Sequence, residues 1–169
     1  MEIIASQEHG RVPVTVLSVR SEIDAFAANE IEARARGAIA AGARHLLIDL
    51  TDVPCLGRAG ILAIDRILEF LLADRSRDEW RAMDEGIRAG TFKSPHLKLV
   101  NPSPLALQEL RRAGTNMYLE IHHNLKDAVA SFGLAHGESP QIETDSRVAF
   151  PRRRSRTDWQ SRIAKPSGV

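Results

Sequence analysis

Few residues in this chain are of a type and spacing that could do chemistry. His45 opens an apolar run and His122-His123 close another. None has a carboxylate or second histidine at a metal-ligand spacing, so no metal site is expected. Cys55 is the only cysteine, which excludes an intramolecular disulfide and a cysteine-cluster zinc site. Its apolar surroundings suit a small packing residue better than a redox thiol. Gly57-Arg58-Ala59-Gly60 carries glycines, but no Lys-Ser/Thr follows, so it is no nucleotide-binding P-loop. No nucleophile, base and orienting group fall into a readable set. The expectation is a binding protein rather than an enzyme, without cofactor.

Three loops hold residues whose types bear more than one reading. The first holds Asp24, which can pair with a cation or order its own turn through the backbone. The second runs from Val53 to Gly60 and presents Arg58, either a partner contact or anion anchor, or a drifted surface residue. The third is Asn101-Pro102-Ser103-Pro104. Ser103 suits a helix cap and Pro104 the first helical position, whatever else they contribute to a surface.

These loops need elements to hold them. Glu2–Glu8 reads as a first strand and His9-Gly10-Arg11 as a turn. Val12–Val19 is β-branched and apolar, a buried strand, with Pro13 placed at an edge or a strand start. Asn29 with Glu32 resembles a capping box, which predicts a helix from there to about Ala41. His45–Leu50 is a compact apolar strand. Ile61, Ile64, Leu68 and their neighbours recur at helical spacing over about Ala59–Ala73. Ser76 and Glu79 form a second capping box, and Trp80, Met83 and Ile87 place one apolar face on a helix that Gly90 ends. That face suits packing onto the domain or an interface. Leu97–Val100 reads as a strand, Pro104–Ala113 as a helix, Met117–Ile121 as a strand and Asn124–Phe132 as a last helix. Leu47, Ile61, Ile64, Leu68 and Leu110 are expected in the core. Alternating strands and helices predict parallel pairs joined by right-handed crossovers, and the opening hairpin makes the sheet mixed. The fold class is therefore α/β, with a mixed sheet of four or five strands packed with helices.

Composition bounds the rest. Of 169 residues, 43% are hydrophobic and 27% charged, as in ordinary soluble domains. A net charge of +1 argues for neither nucleic acid nor acidic ligands. No apolar run nears the roughly 18 residues of a membrane helix. The opening MEIIASQEHG has no basic start and no apolar segment, so a secretory leader is not expected. A cytoplasmic setting follows. Residues 135–169 hold seven Lys/Arg against four Asp/Glu, with Arg152-Arg153-Arg154-Ser155-Arg156 among them. Their few large apolar residues predict a disordered basic tail. The arginine cluster suits acidic partners, lipid headgroups or nucleic acid, or simply solvates the tail. The domain is then 1–134, with an extra short helix inside an insertion at about 75–94.

Three stretches, in order, resemble the STAS domain of anti-sigma factor antagonists and sulphate-transporter tails. The first is Val14–Asp24, similar to a strand followed by a G-E-L-D turn with Ser21 in place of the glycine. The second is Leu47–Val53 leading to Gly60, similar to the strand and loop that end in D-S-[SA]-G-[LI]. The third is Leu97–Pro104, then Leu110, Ala113-Gly114 and Leu119–Ile121, with Asn124–Val129 as the last helix. The resemblance spans about residues 8–132. It implies a non-enzymatic module that docks on an anti-sigma kinase, or on another STAS protein, and is reversed by phosphorylation of the motif's first serine. Here Gly57 stands at the aspartate position and Arg58 at the phosphoacceptor, while Ala59 and Gly60 fit the pattern. Arg58 has no hydroxyl and the wrong sign to mimic phosphate. Over a helix N-terminus it should turn outward or pair with a carboxylate. The resemblance thus implies partner contacts at Asp24, Leu56, Gly57, Arg58, Ala59, Gly60, Asn101 and Ser103, without the serine switch. A subunit of a lipid-transporting ABC complex and a small-ligand or nucleotide sensor are the other roles open to such a module.

Overall fold

A computed structural model describes residues 2–134. The expected tail lies outside the described residues. Eleven elements follow one another, five of them strands: β1 (Ile3–His9), β2 (Pro13–Val19), α1 (Ala25–Ala40), β3 (Leu46–Asp49), α2 (Arg58–Leu72), α3 (Arg77–Ala89), β4 (Leu97–Val100), α4 (Pro104–Ala113), a 3-10 turn (Thr115–Met117), β5 (Glu120–His122) and α5 (Leu125–Ser131). The strands form one sheet in the order β1-β2-β3-β4-β5. β1 and β2 pair antiparallel from Ile3↔Val19 to His9↔Pro13. β2, β3, β4 and β5 run parallel, with Leu17, Ile48 and Leu99 in line across the three inner strands and Leu99 opposite Ile121. Pro13 is the first residue of β2, and pairing to β3 starts only at Thr15, so its missing N–H disturbs no inner ladder.

Monotonic strand order decides where the helices go. Each crossover from β2 to β5 steps the same way, and a right-handed step puts its helix on the same face every time. α1, α2 and α4 therefore share one face. α5 covers the other, where Ala128, Val129 and Phe132 pack with Val14, Val16, Leu47 and Val100. The inner strands, covered on both sides, are buried without alternation; Val14, Leu17, Leu46, Leu47, Leu97 and Leu99 are wholly enclosed.

Three expectations need correction. α1 begins five residues ahead of the Asn29 reading. Asp24 is its cap, accepting from the Ala27 N–H at 2.8 Å, and alanine-rich sequence carries the helix through Asn29. The strand placed at Met117–Ile121 starts later, at Glu120. Gly114 ends α4 in a left-handed conformation, the chain then makes a 3-10 turn, and register against Lys98–Val100 sets the strand. Ile61 is half-exposed, one step off the buried stripe of Ala63, Ile64, Ile67, Leu68, Leu71 and Leu72. The capping box at Ser76 and Glu79 is formed, and Gly90 ends α3 at φ 71°. Met83 is its buried residue, with Trp80 and Ile87 half-buried beside it.

Two polar clusters pin this frame. Lys98, 4% exposed, donates to Glu120 at 2.6 Å and to Ser131 Oγ at 2.9 Å, and its Nζ lies 4.9 Å from the Phe132 ring centre. His122 Nε2 stands 3.2 Å from both Glu120 and Ser131 Oγ. Burial opposes the charge on Glu120, but the hydrogen bonds from His122 and Lys98 outweigh it and hold the carboxyl at about 2. This cluster fastens α5 to β4 and β5. Close by, at the start of β4, Arg75 reaches His96 Nε2 at 2.5 Å and Glu79 at 3.0 Å, so the base of α3 is tied to that strand.

Candidate docking site

Parallel strands that each feed a helix bring the helix beginnings to one end of the sheet. At this carboxyl end, three beginnings are linked directly. Ile23, just ahead of α1, forms a parallel bridge with Leu56, just ahead of α2. Ser103, the cap of α4, accepts from the Ala106 N–H at 3.2 Å and donates to the Pro54 carbonyl at 3.0 Å. The loop before α2 is thus held from both flanks.

Polar side chains at the strand ends fix the loops. Asp49 accepts from Ser18 Oγ at 3.2 Å and from Thr51 at 2.6 Å through its hydroxyl and 3.0 Å through its backbone N–H. Asn101 donates to Thr51 Oγ1 at 3.1 Å. Asn101 itself has φ 52°, a left-handed conformation that asparagine tolerates better than most residues. Its N–H donates to the His122 carbonyl at 2.9 Å, which holds the turn. The ends of β2, β3 and β4 are joined by this chain of bonds.

The expected site residues separate into two layers. Asp24, Arg58, Gly57, Ala59, Asn101 and Ser103 lie exposed or half-exposed around these loops. Leu56 and Gly60 are buried. A Cβ on Gly60 would stand 2.5 Å from Leu56 Cδ1 and 3.0 Å from Ile23 Cγ2. The glycine therefore lets α2 begin tight against the bridge, and Leu56 supports the loop from beneath. Cys55 is half-buried. Asp24 is occupied as a helix cap, so of its two expected uses the structure shows the ordering of its own turn.

Arg58 is the first residue of α2 and is exposed. Among the described residues no carboxylate pairs with it; it is turned outward. Gly57 offers no side-chain cap, and no acidic residue occupies the first turn of α1, α2 or α4. Sequence reading missed two further residues of this surface. Phe26, in the first turn of α1, is 70% exposed, and Leu105, in the first turn of α4, is 60% exposed. Leu125 opens α5 at the same end and is 37% exposed. Phe26 was legible only with Asp24 recognised as the cap; read from Asn29, it fell outside the helix. No group of three or more potential metal ligands occurs among the described residues, and none of their helices is long and apolar enough to cross a membrane.

A mixed five-stranded sheet with five helices in this order is the α/β fold of STAS domains. Residues 4–76 match the family model described as the STAS domain, from β1 to the cap of α3. Among solved structures, it is similar to an anti-sigma factor antagonist from Mycobacterium paratuberculosis at 24% identity. That match has a TM-score of 0.51 and covers 77% of this chain and 93% of the other. It is also similar to an anti-sigma-factor antagonist (STAS) domain protein from Planctomyces limnophilus at 17% identity. The TM-score there is 0.50, over 75% of this chain and 94% of the other. No curated protein matches the chain significantly. These two solved structures share the fold of this chain.

Proposed function

We propose that this chain is a non-enzymatic regulator of the anti-sigma factor antagonist type, docking an anti-sigma kinase-like protein or another STAS protein through its carboxyl-end loops. The observation that carries this reading is the joined beginning of α1, α2 and α4, with Arg58 outward at the phosphoacceptor position. Asp24, Gly57, Arg58, Ala59, Asn101 and Ser103 line the contact, while Leu56 and Gly60 shape it from below. The reaction that reverses docking in the related proteins needs a hydroxyl, and Arg58 has none. Binding then persists without that switch, as in a constitutive antagonist or a scaffold subunit.

The test incubates the wild type and the double variant Gly57→Asp with Arg58→Ser with purified anti-sigma kinases, and maps phosphate. Phosphate confined to the serine introduced at position 58 supports the reading. Phosphate in the wild type at Thr51 or Ser103 refutes the loss of the switch, and failure of every kinase and STAS protein to bind refutes the docking role. Where a partner binds, Arg58→Ala should weaken it by about 2 kcal/mol or more.

A further inference from the structure

The two edges of the sheet are finished differently. β5 ends it with a strand of three residues, the kind of short edge that offers little to pair with. β1, at the opposite edge, runs for seven residues, IIASQEH, and contains no proline, lysine or arginine. Its pairing with β2 continues residue for residue from Ile3↔Val19 to His9↔Pro13, so no bulge turns the edge away. Ala5, Ser6 and Gln7 in its middle are exposed, small or neutral. Proteins usually blunt such an edge, because its free N–H and C=O groups are a template for another strand.

Which backbone groups are free follows from two bonds. The Arg20 N–H donates to the Glu2 carbonyl at 3.0 Å, and the Thr15 N–H donates to the His45 carbonyl at 2.9 Å on the β3 side. Bonding alternates along an antiparallel pair. Ile4, Ser6 and Glu8 therefore turn their N–H and C=O groups to β2, and Ile3, Ala5, Gln7 and His9 turn theirs outward. Pro13 fits this phase, since it lies opposite His9 and has no N–H that β1 would need.

This phase makes β1 complementary to itself. Placed antiparallel to a second copy about a two-fold axis at Ser6, Ile3 lies opposite His9 and Ala5 opposite Gln7. Every outward N–H and C=O of both strands then has a partner. A slip of one residue sets outward groups against groups already bonded to β2. Any longer slip leaves Ile3 or His9 without a strand partner. The side chains agree with the same register. Ser6 faces Ser6, and Glu8 faces Ile4, so no like charges stand directly opposite. The next acid along that face, Glu2, has Arg20 of its own chain against it at 3.4 Å. Pairing β1 of one copy with β5 of the next would match seven residues with three and leave edges open at both ends. The two-fold arrangement closes on itself.

We propose that two copies of this chain pair along β1, antiparallel about Ser6, to form one continuous sheet. This stands apart from the docking reading and concerns a different edge of the molecule.

Sedimentation equilibrium of the full chain across the micromolar range should show monomer and dimer and nothing larger. Ala5→Pro removes an N–H that points outward and leaves the ladder to β2 intact. It should raise the dimer dissociation constant about tenfold or more. Ser6→Lys sets two cations opposite each other on the axis and should do the same. Ser6 is exposed, so this variant carries the test if Ala5→Pro does not fold; circular dichroism checks both. A cross-link tests the register. Directly opposed residues of this non-bonded kind have Cα atoms about 4.5 Å apart, within disulfide reach. In a Cys55→Ser background, Ser6→Cys should give a covalent dimer on mild oxidation, and Gln7→Cys should not. A monomer at every concentration, growth beyond a dimer, a dimer indifferent to Ser6→Lys, or cross-linking through position 7 in preference to 6 would each overturn the proposal.

Discussion

The beginnings of α2 and α3 lie on one chain only 19 residues apart in their first positions, Arg58 and Arg77, yet they are built oppositely. α3 has a serine cap with a reciprocal capping box, two acids in its first turn and a left-handed glycine at its end. Arg75 ties its base to His96. α2 has a glycine cap without a side-chain bond, no acid in its first turn and an arginine in the least favourable place for one. The helix outside the family match secures its own ends, whereas the helix beginning at the proposed site forgoes those devices. Stability does not explain the second arrangement, since each change at α2 would be mildly favourable to the fold. The docking role proposed above accounts for it, because an exposed loop kept for a partner need not be optimised for the fold.

Acid should separate the two regions most strongly. His96 Nε2 accepts from Arg75, so its neutral form carries the proton on Nδ1, facing the Arg44 carbonyl at 3.2 Å. Burial, followed by the charges of Arg75 and the stacked His45, brings its pKa from 6.5 down to about 4. Between those values the unfolded chain binds the proton that the folded chain refuses. Stability therefore falls as pH is lowered from 6.5 toward 4. Glu120 adds a second loss from 4.5 toward 2, because its folded pKa is also depressed. Hydrogen exchange at pH 4.5 should show α3 amides opening more readily than α2 amides. Equal protection of both at pH 4.5 and pH 7 would place the acid response elsewhere.

Gly60→Ala should cost about 1–3 kcal/mol in denaturant unfolding, because the added methyl meets Leu56 and Ile23 beneath the loop. A cost near zero would mean that α2 is not held tightly against the Ile23–Leu56 bridge. Ser76→Ala should cost about 1 kcal/mol, the usual worth of a serine cap. Arg58→Glu reverses the sign at the α2 end and should raise stability by about 0.3–1 kcal/mol, even as it weakens partner binding. A variant that loses both stability and binding would make Arg58 a structural residue and end the contrast. Smallest of all, Gly57→Ser should gain a few tenths of a kcal/mol by supplying the missing cap.

The local features of this chain were readable wherever a short pattern had one physical solution. Ser103-Pro104 had to start a helix, Ser76 with Glu79 had to cap one, and the runs Val14–Val19, Leu46–Ile48 and Leu97–Val100 had to be buried strands. Asp24 and Asn29 compete as caps because both residue types serve. Asp24 won, and alanine-rich sequence after it continued the helix. β5 was misplaced because a three-residue strand is defined by its partner, not by its own sequence. At the proposed site, Asp24, Arg58, Asn101 and Ser103 were marked by the family resemblance, but the hydrogen bonds joining Ser18, Asp49, Thr51 and Asn101 cross three strands and leave no trace at short range.

The sequence by itself determined the types of the elements, their order and the guanidinium at position 58, because propensity, capping and side-chain chemistry act over a few residues. Tertiary structure alone decided that Phe26, Arg58 and Leu105 share one surface, that Leu56 lies beneath it, and that Asp24 caps a helix instead of neutralising Arg58. Those outcomes depend on strand order and crossover hand, which bring residues about 80 positions apart to one end of a sheet.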